Sequence, residues 1–497
     1  MKRLLSNLLF LGALSASVFL AWLPQLQPYL RSADDFRYAL HYHSGLWSSI
    51  AEAYAASGIR RSVYLLFFAP MTALPDQWVG FATLVEHSLA TILFYVVAFR
   101  LLGNRRAAFL LGLGFGVFPF AFGAVLWATG TYIIAHSIFY LLSILLLSLA
   151  ADAVKASPWR VATLTFAFLA TIACCLAGEH LVFACALSGL VVLCAKAYDF
   201  AQLYNIVRRQ AVVLVLPGAA VGSYLVAVWL TVPTGIESVH GDRLDLKALN
   251  VATLFSVWFY QHRMFDVFEP WFSPEAWNIA FSSLPLSLIA VAGLLGVAAI
   301  WMIGRIAEPR ACEARDARPS PLLGPAIILS GFALSSVHML AGGYSVASRH
   351  QYAPIMFVFL FLGWLLLSVL PKSSWRGVGF RPVAIALVLV GSITTWLVYG
   401  LNRLELRRHH ALIDHLLAKG ISGPINVSYT PDPWHVSPRI GRALNHAPPR
   451  GYGEEWILRE AVRDAVPAIE LSNAEAVTAI DVKLVDKMFI VTSGPNK

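Results

Sequence analysis

The sequence predicts an all-α polytopic membrane protein with a small α+β domain at its C-terminal end. Three observations lead there. Of the 497 residues 58% are hydrophobic and 13% charged, and a mean hydropathy of +0.67 is far too apolar for a soluble chain of this length. Apolar runs of about 20 residues, each long enough to cross a hydrocarbon layer of ~30 Å as a helix, recur up to position 401. Beyond them the pattern stops, and residues 402–497 are mixed in charge and interrupted by proline.

The first run, 4–23, has the Lys2-Arg3 flank of a signal peptide. Its length suits a spanning helix and it lacks a convincing small-residue cleavage site, so it is read as an uncleaved span. Further runs lie at 77–101, 106–128, 131–150, 161–177, 180–196, 211–232, 277–303, 322–341, 353–370 and 382–401, about eleven transmembrane helices in all. The stretch from Arg60-Arg61 to Pro70 is shorter and broken by proline, so it reads as an interfacial or re-entrant segment. As a twelfth span it would invert everything after it.

Loop charges decide against that inversion. With a cytoplasmic N-terminus, the inside connections carry Lys2 and Arg3, then Arg100, Arg105 and Arg106, then Lys155 and Arg160. They continue with Lys196, Arg208 and Arg209, then Arg305, Arg310, Arg315 and Arg318, and finally Lys372, Arg376 and Arg381. The outside connections hold scattered positive charges such as Arg243, Lys247 and Arg263, as the positive-inside rule requires. The inside loops account for the net charge of +9, and no nucleic-acid partner is needed to explain it.

This orientation puts the remaining polar features on one side. Outside are the 24–76 loop, the Gly178-Glu179-His180 turn, the 233–276 loop, the 344–352 connection and the tail. Residues 1–401 form a transmembrane domain, and 402–497 are enough for a small outer domain. In that tail Leu404–Lys419 predicts a helix ended by Gly420, while Ile425–Tyr429 and Met488–Thr492 predict strands. The five cysteines, Cys174, Cys175, Cys185, Cys194 and Cys312, make no disulfide framework. No Cys-x-x-Cys or His-Glu-x-x-His spacing marks a metal site, so a metal would have to bind through carboxylates.

The stretch Arg31-Ser32-Ala33-Asp34-Asp35-Phe36-Arg37-Tyr38 places two adjacent carboxylates where the first span meets water. Ionisable groups at the edge of a hydrocarbon layer are costly unless solvated, paired or used, which makes Asp34 and Asp35 the first candidates for chemistry. The same residues suit a capped helix start, and such a helix would hold the carboxylates still. With Glu179-His180, Arg60-Arg61 and Arg349 they suggest an outer cleft for an anionic, lipid-linked substrate. A carboxylate there can take the proton of an attacking hydroxyl, and an arginine fork can hold a phosphate leaving group. Glu179 also suits a solvated turn and Arg349 a snorkelling anchor. His262 and Arg263 fall among Trp258, Phe259, Tyr260, Phe265 and Phe268, which predicts an interfacial helix compatible with lipid contact. His41, His43 and His136 read as background polar residues.

A short cytoplasmic end, one span and an outer loop opening with Asp34-Asp35 resemble the integral-membrane C-type (GT-C) glycosyltransferases. Within that class the Asp-Asp-Phe stretch and the Arg60-Arg61 step look like bacterial O-antigen glucosyltransferases and related lipopolysaccharide-modifying enzymes. The resemblance covers the layout of residues 1–401 and implies a GT-C-like fold that transfers a sugar, with inversion, from an undecaprenyl-phosphate-linked donor. The acceptor would be a hydroxyl of O-antigen, lipopolysaccharide or another surface glycan, free or lipid-linked. It also implies that a carboxylate of the first outer loop, Asp34 or Asp35, is the base. On this reading Arg349, with Arg60 or Arg61, binds the donor phosphate, and Glu179, His180, His350, Tyr352, His262 and Arg263 serve the acceptor or assist. Asp34, Asp35 and Glu179 could instead share a divalent cation, oxygen ligation favouring magnesium or manganese. The expected setting is the bacterial inner membrane, with membrane lipids as partners and the active site and tail periplasmic. Two rivals are an O-antigen polymerase or ligase using a lipid pyrophosphate, and a transporter. A transporter would place charges at the bilayer midplane and show repeated halves.

Overall fold

The computed structural model describes residues 2–28, 45–57, 59, 71, 74–120, 122–126, 128–154, 157–178, 181–231, 261–282, 284–307, 318–333, 352–369, 379–421, 423–430, 469–471, 478–485 and 488–495. Eight helices among them are long and apolar enough to cross a membrane: Asn7–Leu26, Asp76–Leu102, Thr131–Asp152, Pro158–Ala177, Ala211–Thr231, Leu286–Ile306, Tyr352–Val369 and Phe380–Lys419. The chain is an all-α polytopic membrane protein in its first 400 or so residues. Each of the eight overlaps one of the predicted runs.

The three other runs are built of shorter pieces, so the count of eleven spans is not established by these helices. The 106–128 run is helical over Arg105–Val117 and again over Phe122–Leu126. Pro119 lies between the two and has no amide to donate. The 180–196 run consists of Val182–Ala186 and Ser188–Cys194. The 322–341 run begins as Leu323–Ile327, widens into a π-turn over Ile328–Ala333, and then leaves the described residues. A fourth run, 277–303, is divided too. The helix Pro274–Ser282 stops before Pro285, and Leu286–Ala307 starts after it with Leu288 N–H bonded to the Pro285 carbonyl.

The first helix, Lys2–Trp22, is packed within the bundle. It packs on Asp76–Leu102, Arg105–Val117, Leu286–Ala307 and Phe380–Lys419. Its buried Ala13, Leu14, Val18 and Ala21 fall on one helical stripe, and small residues there let neighbours close in. Exposed apolar side chains such as Val215, Trp229, Leu294, Val297 and Trp301 lie on the bundle's outside, where lipid replaces water as solvent.

Helix ends sort into two groups. At one, Asp152 accepts from both Arg100 and Lys196, joining three connections predicted to be inside. Arg105 donates to Tyr95 and to Asn7, Arg160 donates to Gln210, and Trp364 Nε1 donates to the Ser320 carbonyl. At the other, Arg403 reaches the Pro28 carbonyl and Ile59 N–H bonds Thr231.

The last helix corrects the sequence reading. A span at 382–401 and a separate helix at 404–419 are one helix, Phe380–Lys419. At 1.5 Å per residue its 40 residues extend about 60 Å, roughly twice the hydrocarbon thickness. Gly420, at φ +60°, ends it, with Ile421 N–H bonded back to the Leu416 carbonyl. The strands that follow form one sheet of order β2-β1-β3-β4, with β1 Gly423–Thr430, β2 Ile469–Leu471, β3 Thr478–Val485 and β4 Met488–Pro495. β1 runs parallel to β2 and β3, and β3–β4 is an antiparallel hairpin pairing Val485 with Met488. Both predicted strands lie inside β1 and β4.

Candidate functional site

A polar cluster buried in the bundle joins the end of the first helix to the start of Tyr352–Val369. It begins at the turn Leu23–Leu26, a short 3₁₀ segment with proline in its first turn. Gln25, buried there, donates through Nε2 to Thr83 Oγ1 (2.8 Å) and to the Val125 carbonyl (2.5 Å). Helix Asp76–Leu102 can pass this turn because residue 80 is glycine. A Cβ on Gly80 would lie 1.9 Å from the Gln25 carbonyl oxygen.

His87, 2% exposed, is the hub. Its Nε2 lies 2.9 Å from the Gly116 carbonyl, which can only accept, so Nε2 carries the proton. Nδ1 then accepts from the Tyr352 hydroxyl at 2.7 Å. The Gly116 carbonyl takes a second bond from Trp22 Nε1 at 2.8 Å. Gly116 owes its position to its size: a Cβ there would lie 2.7 Å from both Thr91 and Val18 side chains. The result is a continuous bonded chain, Trp22 to Gly116 to His87 to Tyr352. Beside it is a small cavity lined by Trp22, His87, Phe115, Phe118, Phe120 and Tyr352, among others.

Glu86 lies next to His87 and has a buried Oε2 with no hydrogen-bond partner among the described residues. A carboxyl in the middle of a spanning helix is expensive, and such groups usually serve function. Both nitrogens of His87 are bonded, so this histidine orients its neighbours and holds no lone pair for a substrate. Glu86-His87 escaped the sequence reading because hydropathy averages it into the 77–101 run. The pair of adjacent ionisable residues inside that run was the signal. It places polar groups deep in the bundle, where the reading found none.

Of the residues singled out from sequence, Tyr352 is the one whose side chain is described: it is buried, and its hydroxyl is committed to His87. Asp34, Asp35, Arg60, Arg61, Glu179, His180, Arg349 and His350 lie outside the described residues. His262 and Arg263 fall in the 3₁₀ helix Gln261–Phe272, with their side chains outside the description. That helix is docked by Trp271 Nε1 on Thr394 Oγ1 at 2.9 Å. Among the described residues no three His, Cys, Asp or Glu side chains form a metal-holding group, and Cys174, Cys175, Cys185 and Cys194 are free and buried. The carboxylates proposed for a cation are not among those residues. His136 is buried, with Nδ1 2.6 Å from the Cys174 carbonyl oxygen.

No known protein family matches the sequence, and no curated protein does. Two crystal structures of ArnT from Cupriavidus metallidurans are similar in chain course over 97% of both chains. They are the apo state, at 13% identity and a TM-score of 0.39, and the state bound to undecaprenyl phosphate, at 14% and 0.40. At these scores the likeness is loose, and the reading of the site stands on this chain's own residues.

Proposed function

We propose that the chain is a membrane glycosyltransferase of the C type. It moves a sugar from a polyprenyl-phosphate donor to a hydroxyl of a surface glycan, O-antigen or lipopolysaccharide, at the periplasmic face of the bacterial inner membrane. One observation supports this above others. The bonded chain from Trp22 to Tyr352 ties the end of the first helix to the start of Tyr352–Val369, next to which the acidic and the arginine stretches stand in the sequence. Asp34 follows Pro28, the last described residue there, by six positions, a reach of about 20 Å at most. Arg349 precedes Tyr352 by three, a reach of about 10 Å. Base and phosphate ligand can therefore meet at one end of the bundle.

In the proposed reaction Asp34 or Asp35 accepts the proton of the acceptor hydroxyl. The acceptor oxygen bonds to the anomeric carbon as the bond from that carbon to the phosphate oxygen breaks, and one displacement inverts the centre. The leaving polyprenyl phosphate keeps the bonding pair, and the Arg349 fork neutralises it. The test is the mass of the host's surface glycan, which should fall by one sugar per acceptor unit when the chain is deleted. Asp34→Asn or Asp35→Asn should lower transfer on the order of a hundredfold to ten-thousandfold at unchanged protein level, since Asn caps a helix nearly as well but is no base. Wild-type transfer by both variants and by the double variant would sink the proposal.

A further inference from the structure

The helix Pro158–Ala177 carries Cys174 and Cys175 in its last turn, and Cys185 lies in the next helical piece, Val182–Ala186. All three are buried free thiols, and the sulfurs of Cys174 and Cys185 stand 3.3 Å apart. Buried cysteines often serve only as small apolar filling. These two are held facing one another. The Cys174 carbonyl accepts from Gly178 N–H (3.3 Å) and from His136 Nδ1 (2.6 Å), and the Cys174 thiol donates to the His136 carbonyl (3.3 Å). Cys185 N–H bonds the Leu181 carbonyl (2.7 Å), and the Cys185 carbonyl accepts from Ser188 Oγ (2.8 Å). A disulfide needs about 2.05 Å between its sulfurs, so an approach of about 1 Å by side-chain rotation would close the bond. Among the described residues no three ligating side chains form a metal-holding group, which leaves a covalent cross-link as the chemistry this pair of sulfurs offers.

The pair's place along the bundle decides which compartment it belongs to. Helices Pro158–Ala177 and Ala211–Thr231 pack together and start together, where Arg160 donates to Gln210 and Gln210 in turn to the Ala151 carbonyl. They run side by side in one direction. Ala177 therefore lies toward the end where Thr231 meets Ile59, away from the end where Arg100, Asp152 and Lys196 meet. Cys174 precedes Ala177 by three residues, about 5 Å of helix rise. On the outer placement proposed above for that end, the adjoining compartment is oxidising, and a dithiol delivered to it undergoes exchange with disulfide donors.

We infer that Cys174 and Cys185 are joined in the cell by a disulfide that ties the helix Pro158–Ala177 to Val182–Ala186 across the Gly178-Glu179-His180 turn. The inference rests on the outer placement of that end, and the cysteine spacing alone marked no such bond. One cysteine, as thiolate, attacks a disulfide donor of the outer compartment, and the other then displaces the donor from the mixed disulfide. The two thiols lose two protons and two electrons, and the donor leaves as a dithiol. At 0% and 1% exposure the pair is out of a protein donor's reach once the bundle has closed, so exchange belongs to insertion, and the finished bond is shielded from reductants.

The test counts thiols in the full-length chain from cells quenched with acid, denatured, and alkylated with N-ethylmaleimide before and after reduction. Wild type should gain two alkylated cysteines on reduction, and the peptides holding Cys174 and Cys185 should be found linked. Cys175→Ser should gain the same two, and Cys185→Ser none. A host without the outer-compartment disulfide donor should yield all five cysteines free. Five free thiols in the wild type, or a link through Cys175 in place of Cys174, would overturn the inference. So would a link that persists in the host without the donor, since exchange would not then be its source. Orientation is read separately, by labelling Ser437→Cys from outside intact cells. Five free thiols with that label present sink the cross-link alone, and five free thiols with the label absent sink the outer placement with it.

Discussion

His87 shows how one side chain can hold two helices in register inside an apolar bundle. With Nε2–H given to Gly116 and Nδ1 receiving from Tyr352, neither nitrogen is left to seek water. Removing one partner exposes the cost of the other. Tyr352→Phe leaves Nδ1 without a donor and should destabilise the purified protein by about 1–3 kcal/mol, read as a lower unfolding midpoint in detergent. Taking away both polar partners is cheaper than the sum of the parts. The pair His87→Leu with Tyr352→Phe should show a coupling of about 1 kcal/mol or more in a double-mutant cycle. Strict additivity would mean that the bond contributes nothing and that Tyr352 is placed by packing on Phe115 and His87 alone.

Two glycines of opposite circumstance test helix packing. Gly80 lies against the Gln25 carbonyl, so Gly80→Ala must push the Asp76–Leu102 helix off the Leu23–Leu26 turn, at a cost of about 1–3 kcal/mol. A Cβ added at Gly218, inside Ala211–Thr231, would meet nothing within 4 Å beyond its own helix backbone, and Gly218→Ala should stabilise by up to about 1 kcal/mol. Equal shifts in unfolding midpoint would contradict the close approach at Gly80. At this scale hydropathy made the spanning elements legible but not their breaks. Pro119 and Pro285 interrupt helices, yet Pro217 lies inside a continuous one, so proline alone does not separate a break from a tolerated kink. Nor did the end of the last apolar run mark the end of its helix. Backbone hydrogen bonding continues past Leu401 regardless of polarity until Gly420 takes a left-handed conformation. β3 was missed although Ile480, Val482 and Leu484 alternate with Asp481 and Lys483. The site was legible in part. Tyr352 was named, but its partner His87 was hidden by the apolar residues around it, and the acids and arginines of the outer loops lie outside the described residues.

Across the whole molecule, the sorting of helix ends is what gives the basic loops a meaning. Arg100, Asp152 and Lys196 meet at one end, although the 105–126 and 181–197 segments between them are broken helices. Two segments that cross the bundle without being long continuous helices preserve the alternation on which the positive-inside reading depends. That end should face the cytoplasm, and the Pro28–Arg403 end, with the sheet beyond it, the periplasm. Cysteine labelling in intact cells distinguishes the two orientations. The native Cys174, Cys175, Cys185 and Cys194 are at most 5% exposed, so a membrane-impermeant maleimide should not reach them. A cysteine introduced as Ser437→Cys should react from outside, while Cys312, in a connection predicted to be inside, should react only after the membrane is opened. Reaction of Cys312 in intact cells with protection of position 437 would invert the molecule. The carboxylates of the first outer loop would then sit on the cytoplasmic side, and a periplasmic sugar transfer could not use them.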